Sequence, residues 1–162
     1  MDLAGLTERL TRLEDQEAIR TLVATYALGA DRHNDPAILG PLFTEDAVWA
    51  CEGFGQHRGA DEIARALAEI GRTRIRWSLH YMVSPLVERA DDGATARCRW
   101  YLWELAQVAE PGEPAAQAHW IGGCYDAQVV KGPQGWHFAR VDLQLKLLSP
   151  HREGWQTLPP TP

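Results

Sequence analysis

No apolar run in this chain reaches the roughly 20 residues that a membrane-spanning helix needs. Basic residues are outnumbered as well: 16 Lys and Arg face 22 Asp and Glu, for a formal net charge of -6, and they do not cluster. Phosphate backbones are bound through a basic footprint, so neither nucleic acid nor membrane is expected as a partner. Cysteine is scarce. Cys51, Cys98 and Cys124 are odd in number, far apart, and form no CxxC pair. That argues against a zinc site or disulfide framework and for a reducing cytoplasm. No two histidines stand at metal-ligand spacing with a carboxylate, so no metal is expected. GxSxG, P-loop and GxGxxG motifs are all missing. The amino end, MDLAGLTERLTRLED, is amphipathic and charged, unlike a signal peptide.

What the chain does have is periodicity. Its 162 residues, 45% hydrophobic and 23% charged, suit one globular domain with a good-sized core. Residues 17–31, EAIRTLVATYALGAD, place Ile19, Leu22, Val23, Tyr26 and Ala30 on one helical face, with Arg20, Thr21 and Thr25 off it. Residues 3–13 read as a short helix running into this one with little break. Asp35 then Pro36 is a cap followed by proline at the first helical position. Residues 36–43 continue as a short helix interrupted by Gly40 and Pro41. A strand over 47–51, a turn into a second short strand over 53–59, and a helix over 60–70 closed by Gly71 follow.

Beyond Ser78 the period changes to that of strands, over 79–88, 94–108, 116–130 and 136–148. The turns between them are Asp91-Asp92-Gly93, EPGEP and KGPQG. Three helices followed by a meandering antiparallel sheet predict an α+β fold, with helices over one concave face. One domain spans 1–150, and 151–162 form an irregular proline-rich tail. Alternation puts Val141, Leu143, Leu145 and Leu147 on one face of the last strand, and Arg140, Asp142, Gln144 and Lys146 on the other. In the second long strand Cys98, Trp100, Leu102 and Glu104 point inward, opposite Arg97, Arg99, Tyr101 and Trp103. Glu104 is then either an acid inside a cavity or an exposed glutamate near the strand end.

Two residues of the main helix ill suit plain packing. Tyr26 places a phenol on the buried stripe, where it needs a hydrogen-bond partner. Asp31 ends the helix, where the dipole disfavours an anion. Either both are aimed into a cavity, or Tyr26 is a core tyrosine and Asp31 a turn residue of DRHNDP. His80, in SLHYMVSP, lies within an apolar strand, and both ring nitrogens need partners there. A carboxylate such as Asp31 would fix one tautomer and leave the other nitrogen as a base. His33, His57, His137 and His151 sit in or beside turn-rich segments. Seven tryptophans are many for this length. Most should fill the core, and some could line a pocket for a flat or apolar ligand.

The segments EAIRTLVATYALGADRHND, LFTEDAVWACEGFGQHRGADEI, SLHYMVSP and GGCYDAQVVKGPQGWHFAR carry a family resemblance. From Leu10 to about Pro150 the chain resembles the nuclear-transport-factor-2-like (NTF2-like) superfamily in its SnoaL-like branch. Within it, the γ-hexachlorocyclohexane dehydrochlorinases come nearest, then the scytalone and bile-acid dehydratases. The resemblance implies a cone-shaped α+β barrel with a deep apolar pocket, no cofactor, and a proton-abstracting His–Asp pair. By position the histidine falls on His80 and the aspartate on Asp31. The pocket tryptophan falls on Trp49, and the pocket-lining strand positions on Trp100, Leu102, Trp120 and Cys124. Two departures stand out. The dehydrochlorinase lysine is replaced by Tyr26, as in the dehydratases, and its last-strand arginine by Val141. The implied activity is a lyase, a dehydratase acting on a small, mostly apolar cyclic substrate. An isomerase or cyclase, or a binding protein without chemistry, remain the alternatives. A homotrimer packed through the outer sheet face is implied, with a homodimer as the alternative.

Overall fold

The computed structural model describes residues 2–109 and 115–152. The EPGEP turn and nearly all of the proline-rich tail lie outside the described residues. Helix α1 covers Leu3–Asp31, α2 Pro36–Leu39, and α3 Ala60–Thr73, with a single 3-10 turn at Gly40–Leu42. The strands are β1 Phe43–Cys51, β2 Gly55–Arg58, β3 Ile75–Arg89, β4 Thr95–Val108, β5 Gln117–Gly132 and β6 Gly135–Pro150. They form one curved sheet in the order β2-β1-β6-β5-β4-β3, which does not close on itself. No helix among the described residues is long and apolar enough to cross a membrane.

α1 is continuous over 29 residues, so the expected junction near Leu13 is absent. Asp2 caps its start by accepting from the Gly5 amide at 2.9 Å. The expected stripe of Ile19, Leu22, Val23, Tyr26 and Ala30 is buried. Asp15 is buried on the same helix. It accepts from the Lys131 ammonium at 2.7 Å and the Trp136 indole at 2.9 Å, and Arg89 Nε stands 3.1 Å away. Charged hydrogen bonds at Asp15, midway along the helix, and apolar packing from Ile19 to Ala30 fix its second half against the sheet. That sets where its last turn, and so Asp31, arrives.

Two expectations about the sheet need correction. It is mixed, because β1 runs parallel to β6 while the other neighbours are antiparallel. β1 reaches β6 by a long crossover, not a hairpin, so no turn forces opposite directions. Leu147 also leaves the face it was expected to share with Leu143 and Leu145. Leu145 pairs with Gly123 but Leu147 with Gly122, so Lys146 is the extra residue of a bulge. One inserted residue reverses the alternation beyond it. Leu147 emerges on the outer face, 39% exposed.

Candidate active site

The end of α1 is built tightly against its surroundings. A side chain at Gly29 would meet Leu39 at 2.6 Å, so α2 lies directly on the last turn. His33 and Asn34 then adopt positive φ (58° and 54°) to reverse the chain. This turn aims Asp31 at β3. Its Oδ1 accepts two hydrogen bonds, from the His80 backbone amide at 2.8 Å and from His80 Nδ1 at 2.8 Å. The two donors offset the poor placement of an anion at a helix carboxyl end. They also make Nδ1 the protonated nitrogen of a neutral ring, leaving the Nε2 lone pair free.

On the other side of the ring, Nε2 stands 3.4 Å from Glu104 Oε2. Strand register brings these two together, since His80 and Glu104 are directly opposed on β3 and β4. Of the two possibilities for Glu104, the inward one holds: its side chain is 7% exposed, against 10% for His80 and 26% for Asp31. Burial pulls the His80 pKa down, but the Glu104 charge and the Asp31 hydrogen bond and charge outweigh it. The net shift is upward from the ordinary histidine value. Burial likewise raises Glu104 above the usual glutamate value, and the Asp31 charge adds to it against the opposing effect of His80.

His80 and Glu104 open on a narrow cavity of about 60 Å³. Its other walls include Tyr26, Asn34, Trp49, Phe54, Ile121 and Tyr125. Tyr26 is buried and accepts from the Trp49 indole at 2.9 Å. Burial pushes its phenol up to about 12, so it stays protonated at any working pH. Tyr125 is shifted upward by burial in the same way and hydrogen-bonds to Tyr26. Among the described residues of the wall there is no lysine or arginine. Val141 is fully buried, and Arg140 is engaged with Asp142 at 2.6 and 2.7 Å.

His80, Tyr26, Trp49 and Glu104 thus line one cavity, and Asp31 stands behind His80. Trp100 and Leu102 point inward but belong to the core, where Trp100 stacks on Tyr125 at 4.8 Å between ring centres. Trp120 and Cys124 do not reach the cavity. They pair with Leu105 and Tyr101, the outward residues of β4, and Trp120 stacks on Trp103 at 5.3 Å. The inward residues of β5 are the odd-numbered ones, Ile121, Gly123, Tyr125, Ala127 and Val129. Alternation held the signal, because Asp126 and Gln128 mark the even-numbered face as the outer one. Tyr125, one position from Cys124, and Ile121 are accordingly cavity residues that the sequence pattern held, and Asn34 and Phe54 join them on the wall without a signal of their own.

This is a narrow, largely apolar cavity in an α+β cone, with an oriented imidazole on its wall. Comparison with known proteins gives the family. The profile of the SnoaL-like domain matches residues 11–142, and the chain belongs to that family. A sequence search of curated proteins finds no match. Among solved structures, hexachlorocyclohexane dehydrochlorinase LinA type 3 from Novosphingobium barchaimii is similar with a TM-score of 0.81 at 20% identity, covering 94% of this chain and 99% of that one. A scytalone dehydratase-like protein from Novosphingobium aromaticivorans gives 0.73 at 21% identity, over 88% and 91%. An NTF2-like protein with a cystatin-like fold, from the same species, gives 0.68 at 27% identity, over 90% of each chain.

Proposed function

We propose that this protein is a cofactor-independent lyase, a dehydratase that uses a His80–Asp31 dyad on a mostly apolar cyclic substrate. The observation that carries the proposal is the buried His80 imidazole, held at Nδ1 by Asp31 at 2.8 Å on the wall of a cavity. Neutral His80 takes a carbon-bound proton next to a carbonyl. Asp31 stabilises the imidazolium that results. Tyr26, protonated and lining the same cavity, donates a hydrogen bond to the carbonyl oxygen as negative charge develops there. General-base catalysis of this kind contributes roughly 10²–10⁴-fold.

The names of the structural relatives, a dehydrochlorinase and a dehydratase-like protein, point to elimination. The wall favours loss of an oxygen group over chloride, since it offers two phenols and the Glu104 carboxyl to an oxygen and no described cation to a halide. Cyclic substrates need more room than about 60 Å³, so binding spreads the walls. Phe54 sits between Gly53 and Gly55, both at positive φ (80° and 103°), and is the wall residue carried on the most permissive backbone.

Residues 1–150 would act as one SnoaL-like unit in a reducing cytoplasm, consistent with three unpaired cysteines. The outer sheet face exposes Tyr81, Val83, Leu86, Tyr101, Trp103 and Leu147. Such a face suits a self-associating surface, and a homotrimer is favoured over a homodimer. Light scattering near three chain masses supports the trimer, and one chain mass rejects the interface. The reaction is tested by incubating the protein with cyclic β-hydroxy ketones and following enone absorbance. No enone from any of them at any pH between 6 and 9 would count against a dehydratase.

A further inference from the structure

We propose that Glu104 is a second catalytic residue, the acid that protonates the departing hydroxyl while His80 removes the carbon-bound proton. This deepens the lyase reading and rests on it. Asp31 occupies Nδ1, so Nε2 is the ring nitrogen that can receive a proton. The Glu104 carboxyl is the polar group beside that nitrogen, on the same cavity wall. Their 3.4 Å separation exceeds the usual 2.7–3.2 Å for an N–H···O hydrogen bond. The two atoms therefore stand side by side, each able to address a substrate. Burial, with the Asp31 charge beyond His80, favours the neutral carboxyl. Tyr26 is the poorer acid, since burial makes its phenol hold its proton up to about 12.

The step balances. It begins with neutral His80, protonated Glu104 and a substrate bearing hydrogen and hydroxyl on adjacent carbons. The C–H bond breaks as Nε2–H forms, and the released electron pair becomes the C=C bond. The C–O bond breaks as the Glu104 proton passes to the oxygen, giving water. Imidazolium and carboxylate remain, side by side. Transfer of the proton from Nε2 back to Oε2 restores the starting state without help from solvent. The close cross-strand pairing is what makes that reset direct.

A pair of probes tests it: a cyclic β-hydroxy ketone, and the β-chloro ketone of the same ring skeleton, each followed by enone absorbance. Chloride leaves as an anion and needs no acid. The isosteric Glu104→Gln should slow loss of hydroxide by roughly 10²–10⁴-fold and loss of chloride at least tenfold less. Elimination of chloride by the variant also shows that the pocket is intact. Equal slowing of both substrates, or slowing of neither, overturns the assignment. A wild type that eliminates chloride but not hydroxide keeps the lyase reading and overturns the role of Glu104. If the wild type eliminates neither, both readings fall.

Discussion

Replacing Asp31 by Asn removes a charge and leaves the shape. One oxygen of Asp31 takes both the His80 backbone amide and Nδ1, each at 2.8 Å. An asparagine amide can be turned either way, and only its oxygen can accept from a backbone N–H. The backbone bond therefore holds the amide oxygen toward His80, and the ring keeps its tautomer. What is lost is the difference between a charged and a neutral acceptor, about 1–1.5 kcal/mol, which is roughly five- to tenfold in kcat/KM. The pH profile should move as well. His80 is the base when neutral, and Asp31 favours its cation, so activity in the wild type has a rising limb as His80 loses its proton. Without the charge that limb moves to lower pH. The stability effect carries the matching sign. A raised histidine pKa contributes stability that is present below about pH 6.5 and lost as pH rises through the folded value. Urea unfolding should therefore separate wild type from Asp31→Asn more at pH 5.5 than at pH 9. A 10⁴-fold loss of activity would refute the claim that the backbone bond orients the amide. An unmoved limb would show that the two groups are uncoupled.

Tyr26→Phe should lower kcat/KM by roughly ten- to a hundredfold if one hydrogen bond to a developing charge is lost, about 1.5–3 kcal/mol. It also strips the buried Trp49 indole of its acceptor, so thermal melting should show a loss of about 1–3 kcal/mol. Gly123→Ala would put a methyl 2.6 Å from the Gln144 carbonyl oxygen at the β5–β6 bulge. Overpacking of this kind costs about 1–3 kcal/mol, or roughly 2–4 °C of Tm per kcal/mol in a domain this size. Gly132→Ala, with no neighbour nearer than 3.7 Å, is the control, and equal melting losses in the two would refute the steric argument.

Local pattern carried the sequence reading a long way. The α1 stripe, the proline-led α2 and the hairpin turn at Asp91-Asp92-Gly93 are short-range signals, and they appear where periodicity and turn chemistry put them, whereas α3 runs on through Gly71, which packs under the His33 carbonyl instead of ending the helix, to Thr73. The direction of β1 beside β6 is a long-range matter that no local signal encodes. Leu147 was lost to a single inserted residue, which strand alternation cannot announce. Trp120 and Cys124 failed differently. Family positions placed them in the pocket against the alternation of their own strand, and the alternation won. The buried Asp15 was invisible because its partners, Lys131, Trp136 and Arg89, lie far away in sequence. Asp31 and His80 were legible as candidates because each sat in a place that local physics disfavours: an anion at a helix carboxyl end, and an imidazole inside an apolar strand.

The central claim is that His80 takes a proton from carbon. Its most direct test is hydrogen exchange at the carbon beside the carbonyl of a cyclic ketone without a leaving group, followed by proton NMR in deuterated buffer. Wild type should wash out the proton signal well above the buffer rate. His80→Ala, shown to be folded by circular dichroism, should fall to the buffer rate. Exchange by His80→Ala at the wild-type rate would mean that another group is the base.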